Sequence, residues 1–141
     1  MSNHKEIIGT LMCTMRLHHK IVEKYISALG IHHGQHHLLM RLAKQEWKSQ
    51  KELADSMEIS TATVAVSLKK LEQGGYITRE VVSDDNRYNQ LEITDKGREV
   101  IKESCKIFNH IDETLFQGFT EEEKKEFYRL VKKMNQNLTE L

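Results

Sequence analysis

The stretch from residue 49 to residue 98 constrains the fold most, because it specifies two short helices and a hairpin in fixed order. Ser49 and Glu52 have the spacing of a capping box, which predicts the start of the first helix. Ser60 is a good N-cap for the second helix. One stripe of that helix, with i, i+4, i+7 spacing, is expected to be buried: Val64, Leu68 and Leu71. Residues 49–75 therefore predict a helix-turn-helix.

The breaks around these helices are predicted from local chemistry. Residues 58–60 are expected to interrupt the helices, with Ile59 buried in the elbow between them. Gly74 and Gly75 are expected to supply the positive φ angles that end the second helix.

A β-hairpin is predicted directly after the second helix. The runs 76–82 and 88–93 are rich in β-branched and aromatic residues, and the segment between them is polar. At the tip, Asp85 is expected to orient Arg87, with Asn86 beside it, and Thr94 is expected to cap the next helix. A helix pair followed by a hairpin with a basic tip fits duplex DNA, with one helix in the major groove and the tip in the minor groove.

Long amphipathic helices are predicted on both sides of this lobe. Apolar residues recur at helical spacing over 5–29 and 95–118, and a third helix is expected to begin at Thr120, which forms a capping box with Glu123. These apolar faces are larger than one small core needs, which favours a homodimer over a monomeric bundle. The predicted fold is mainly α with a small two-stranded β-wing. It is a single domain over 1–141, with dimerisation helices at 1–33 and 99–141 and a winged helix-turn-helix lobe at 34–98.

The sequence resembles the multiple-antibiotic-resistance regulator (MarR) family over most of its length. The resemblance is carried by the helix-turn-helix run 49–80, the Asp85-x-Arg87 motif, Ile93-Thr94, Gly97, and Gln35 at the start of an earlier helix. It implies a DNA-binding transcriptional regulator, expected to be a repressor that binds a palindromic operator as a homodimer under the control of a small-molecule effector. The first residues contain no apolar signal core, so a cytoplasmic location is expected. Val66 stands where many members carry an arginine, and the chain contains no proline.

The residues expected to contact DNA lie on the two helix starts, the second helix and the hairpin. They are Ser49, Gln50, Ser60, Thr61, Thr63, Ser67, Lys70, Arg79, Asp85, Asn86 and Arg87. Two copies related by a two-fold axis would reach major grooves about 34 Å apart, which requires an inverted repeat.

Composition excludes several other classes of protein. The 141 residues suffice for one domain with its own core, and no apolar run is long enough to cross a membrane. The sequence contains no nucleophile elbow, no phosphate-binding glycine loop and no metalloprotease motif. We therefore expect no enzymatic activity and no cofactor. Residues 49–98 carry seven basic and nine acidic side chains, a net charge of −2. That charge leaves open a protein-interaction module without DNA binding.

The eight histidines suggest a ligand or metal site. Four of them lie within residues 32–37, and i, i+4 pairs of histidines can bind zinc, so a metal-responsive regulator is an alternative. No cysteine or carboxylate accompanies the run, and no metal site is predicted. The effector is expected to contact residues of this region and of the first helix: His18, His33, Gln35 and His36. Cys13 and Cys105 are expected to be reduced, semi-buried thiols.

Overall fold

A computed structural model describes residues 3–44, 49–81 and 89–141, except for the side chains at positions 81, 89 and 90. Helices dominate the described chain, and its two strands form one antiparallel hairpin, so the predicted fold class is confirmed. The elements are α1 (His4–Ala28), α2 (His33–Lys44), α3 (Gln50–Met57), α4 (Thr61–Gln73), β1 (Ile77–Val81), β2 (Asn89–Ile93), α5 (Asp95–Leu115) and α6 (Glu121–Thr139). None of the helices in the described ranges is long and apolar enough to cross a membrane.

Two compact units make up the chain, Met1–Ile107 and Phe108–Leu141. The core of the first unit lies around α4, which packs against α2 and α3. The predicted stripe of α4 is fully buried there, as are residues from the two neighbouring helices: Val64, Leu68, Leu71, Leu38, Leu39, Leu53 and Ala54. This packing fixes which side of α4 faces outward.

The starts of α3 and α4 are capped by the two serines that the sequence indicated. The Ser49 hydroxyl accepts a hydrogen bond from the Glu52 N–H at 3.1 Å, and the Ser60 hydroxyl accepts one from the Thr63 N–H at 3.1 Å. Between the helices, Glu58 takes the left-handed conformation with φ of 56°. The prediction that Ile59 is buried in the elbow is wrong, because the left-handed turn leaves its side chain 37% exposed.

The two glycines that end α4 have different roles, so the expectation of positive φ at both was wrong. Gly75 has φ of 79°, whereas Gly74 is right-handed with φ of −74°. Gly74 is required for space instead, because a Cβ there would lie 2.6 Å from Cε2 of Tyr76. The aromatic ring thus packs directly on the helix end.

The hairpin pairs β1 with β2 in the register Ile77–Ile93 to Val81–Asn89. Thr94 follows β2 and has two local contacts. Its hydroxyl donates to the Gly75 carbonyl at 2.6 Å and accepts from the Gly97 N–H at 3.1 Å, so the predicted cap of α5 is confirmed.

The second unit contains the end of α5 and all of α6. Both halves of the predicted capping box are formed, with Thr120 and Glu123 bonded reciprocally. The rings of Phe116, Phe119 and Phe127 lie edge to face, with centroids 5.5 to 6.4 Å apart. No residue of α6 is buried, and its apolar side is exposed: Phe127, Leu130, Val131, Met134 and Leu138.

The two cysteines are exposed rather than semi-buried, which corrects the sequence-based expectation. Cys13 lies in the N-terminal half of α1, while the buried residues of that helix, Val22 and Ile26, lie in its C-terminal half. On α5 the residue just before Cys105, Ser104, is buried instead. Helical periodicity alone did not reveal which part of each stripe would be covered.

Candidate nucleic-acid interface

The outward side of α4 gathers most of the residues predicted to contact DNA. Thr61, Thr63 and Lys70 are exposed, and Ser67 is half-buried. The Thr63 and Ser60 hydroxyls lie 2.8 Å apart and are hydrogen-bonded to each other, so both belong to the helix cap. Because the first backbone N–H groups of a helix lack intrahelical acceptors and carry partial positive charge, this end of α4 is suited to a phosphate.

Ser49 and Gln50 lie at the start of α3 and are half-buried. The Ser49 hydroxyl is used by the cap, so a phosphate at this position would be bound chiefly by backbone N–H groups. The sequence-based prediction for these residues is thus compatible with their geometry.

Arg79 is placed differently from the other predicted residues. It lies on β1, and its Nε is 3.6 Å from the Glu72 carboxylate on α4. This half-exposed ion pair connects the hairpin to the end of α4 and partly neutralises the guanidinium. Asp85, Asn86 and Arg87, predicted to form the tip, lie outside the described residues.

A joint centred on Tyr76 was not found by sequence analysis. The Tyr76 hydroxyl donates to the Gly30 carbonyl at 3.3 Å, after the end of α1. Lys96 of α5 donates to the Gly74 carbonyl at 2.6 Å, and its Nζ lies 4.6 Å from the centroid of the Tyr76 ring. The partners are distant in sequence, so no local pattern signals them. This joint fixes the end of α4 relative to α1 and α5.

The predicted effector residues lie on α1 and α2, which pack against each other. His18, His33 and Gln35 are half-buried, and His36 is buried. The rings of His19 and His33 meet edge to face with centroids 5.1 Å apart. The described part of the chain contains no group of three or more histidine, cysteine or acidic residues that could hold a metal ion.

His36 is 3% exposed, and burial, together with the nearby His33 and His37, lowers its pKa from 6.5 to about 4. The unfolded chain therefore binds a proton at this residue between pH 6.5 and about pH 4, whereas the folded chain does not. We expect this linkage to lower the free energy of unfolding by about 3 kcal/mol as the pH falls through that range. Above pH 6.5 the contribution is fully present.

Urea unfolding of wild type and His36→Gln across this pH range measures the linkage. The variant should show a weaker loss of stability on acidification, whereas Asn109→Gln, which changes an exposed residue that does not titrate, should follow the wild type. Identical pH profiles for wild type and His36→Gln would contradict the assignment.

The comparisons with known proteins agree with this geometry. The sequence profile of the MarR family matches residues 31–88, which include α2, α3, α4 and β1. The HTH-type transcriptional regulator BilQ of Clostridium symbiosum is 30% identical over 105 residues, which are 74% of this chain and 73% of that protein.

Solved structures share the fold along almost the whole chain. A MarR transcriptional regulator from Methanosarcina mazei Go1 superposes with a TM-score of 0.75 at 26% identity, covering 99% of this chain and 94% of that one. MepR of S. aureus, solved as a complex with DNA, superposes with a TM-score of 0.70 at 23% identity, covering 96% of both chains. The capped helix pair, the hairpin and these matches lead to one conclusion: the chain belongs to the MarR family of DNA-binding, winged helix-turn-helix transcriptional regulators.

Proposed function

We propose that the protein is a sequence-specific repressor that binds a palindromic operator as a homodimer and is released by a small-molecule effector. The observation that carries the proposal is α4. One side of this helix is fully buried, its N-terminus is capped, and its outward side presents hydroxyl, methyl and ammonium groups. A helix presented in this way suits the major groove.

The homodimer is supported by apolar surface at both ends of the chain. In α1, Ile8, Met12 and Met15 are exposed at i, i+4, i+7 spacing. In α6, Val131, Met134 and Leu138 are exposed at i, i+3, i+7 spacing. Contiguous exposed stripes of this kind mark interaction surfaces, and a second copy of the chain offers complementary ones. One lobe with a net charge of −2 is expected to bind DNA weakly. Simultaneous binding of two lobes in a dimer raises the affinity.

The proposed repression requires that the dimer occupies the promoter, and the proposed control requires that the effector removes it. A dimer seated in adjacent major grooves excludes other proteins from the same stretch of promoter. The effector is proposed to bind near His18, His33 and Gln35 on the packed helices α1 and α2. It would release DNA only if it bound the DNA-incompetent conformation more tightly than the competent one.

Gel-shift titration against the DNA upstream of the protein's own gene tests the function. Lys70→Ala should weaken binding to all duplexes and reduce the slope of log affinity against log salt by about 1, because one phosphate contact is lost. Lys102→Ala, which removes an exposed lysine of α5, should leave both quantities unchanged. A protein that retards no duplex would contradict DNA binding.

The second candidate function is a winged-helix protein-interaction module. The observation that favours it is the acidic balance of residues 49–98, where the net charge of −2 opposes attraction to phosphates. The titration separates the two functions, because an interaction module would show no preference for any duplex over bulk competitor DNA.

A further inference from the structure

Val66 lies in the middle of α4 and is 54% exposed. It belongs to the outward stripe of the helix, whose members lie at i, i+4, i+7, i+11 spacing and are all exposed: Ala62, Val66, Lys69 and Gln73. This stripe lies opposite the buried stripe, which starts at Val64. It is therefore the part of α4 that a bound duplex would meet first.

The two halves of this stripe differ in chemistry. Ala62 and Val66, in the N-terminal half, offer only methyl groups, whereas Lys69 and Gln73, in the C-terminal half, are polar. The neighbouring Thr63 hydroxyl is already hydrogen-bonded to Ser60 at 2.8 Å. A β-branched residue also lowers helix propensity relative to alanine or lysine, so folding of α4 does not favour an exposed valine here.

Base recognition by methyl groups is selective, because thymine is the one base that presents an apolar group, its C5 methyl, in the major groove. Alanine and valine side chains can neither donate to nor accept from guanine, adenine or cytosine. Residues three or four apart on a helix in the major groove reach successive bases, so Ala62 and Val66 are suited to neighbouring base pairs.

We propose that Ala62 and Val66 recognise thymine methyl groups, so that each operator half-site carries thymines at neighbouring base pairs where these residues reach. The inference rests on the proposed DNA-binding function. It makes Val66 a specificity-determining residue that acts by apolar contact rather than by hydrogen bonding. Lys69 and Lys70, exposed on the next turn, would contact the flanking phosphates.

Replacement of thymine by uracil tests the inference, because uracil lacks only the methyl group and keeps the same pairing edge. The probe is the tightest duplex that the wild-type protein selects from a randomised library, synthesised with thymine and then with uracil at single positions. Wild-type affinity should fall about fourfold for each contacted thymine that is replaced. Val66→Ala should bind the thymine duplex more weakly than the wild type. At one position in each half-site, replacement of thymine by uracil should no longer lower the affinity of this variant.

Gln73→Ala is the matched control, since it changes an exposed residue of the same stripe beyond the apolar half. Its affinity should fall as much as that of the wild type when uracil replaces thymine. Equal wild-type affinity for thymine and uracil duplexes, or full uracil sensitivity in Val66→Ala, would overturn the inference while leaving sequence-specific binding intact. A library that yields no preferred sequence would instead overturn the proposed function, and this inference with it.

Discussion

Replacing both Met134 and Leu138 with glutamate is expected to convert the protein to a monomer and to lower its affinity for a two-half-site operator by about a hundredfold or more. Both residues lie on the exposed apolar side of α6, where Leu138 is 70% exposed. In the proposed dimer each glutamate would have to be buried against apolar side chains, at a desolvation cost that the contact cannot offset. The loss of the second subunit then removes simultaneous binding to both half-sites.

Sedimentation and gel-shift titration at matched concentrations measure the two effects. Gln136→Glu is the control, because it adds a negative charge to the opposite side of α6. Its mass and operator affinity should match those of the wild type. A double variant that still sediments as a dimer would show that α6 does not form the subunit contact.

Gly97→Ala is expected to lower the free energy of unfolding by about 3 kcal/mol. A Cβ at this buried position would lie 2.3 Å from the Tyr76 carbonyl oxygen and 2.7 Å from Cγ2 of Ile93. The carbonyl belongs to the backbone and accepts a hydrogen bond from the Thr94 N–H at 3.1 Å, so no side-chain rotation relieves the contact. The start of α5 must shift instead, which disturbs the joint around Tyr76.

Urea unfolding at one fixed protein concentration measures this loss, since the stability of an oligomer depends on concentration. Gly34→Ala is the matched control, because the nearest atom to its added Cβ is Nδ1 of His32 at an ordinary 3.5 Å. This change near the start of α2 should leave stability unchanged or raise it by about 0.5 to 1 kcal/mol. Equal stability of Gly97→Ala and wild type would refute the close-packing argument.

Local sequence signals predicted the starts of three helices well. Ser49, Ser60 and Thr120 cap helices through bonds to backbone N–H groups three residues away, and such bonds need no tertiary contact. The buried stripe of α4 was likewise predictable, because helical periodicity places Val64, Leu68 and Leu71 on one side.

Side-chain packing was the source of one error. Gly74 was assigned a positive φ, yet its role is to make room for the ring of Tyr76, which is a matter of packing. Arg79 was predicted to contact DNA, and that prediction is unchanged; the structure adds that the Glu72 carboxylate at the end of α4 lies 3.6 Å from its Nε.

Local sequence signals were enough to predict the order of helices and strands, because caps, periodicity and β-branched runs act over a few residues. They also predicted which helix could serve recognition. Packing of the folded chain, in contrast, sets the exposure of Ile59, the burial of His36 and the position of Tyr76 between the ends of α1, α4 and α5. Burial and long-range hydrogen bonds depend on how whole elements pack, and packing brings together residues that no local pattern relates.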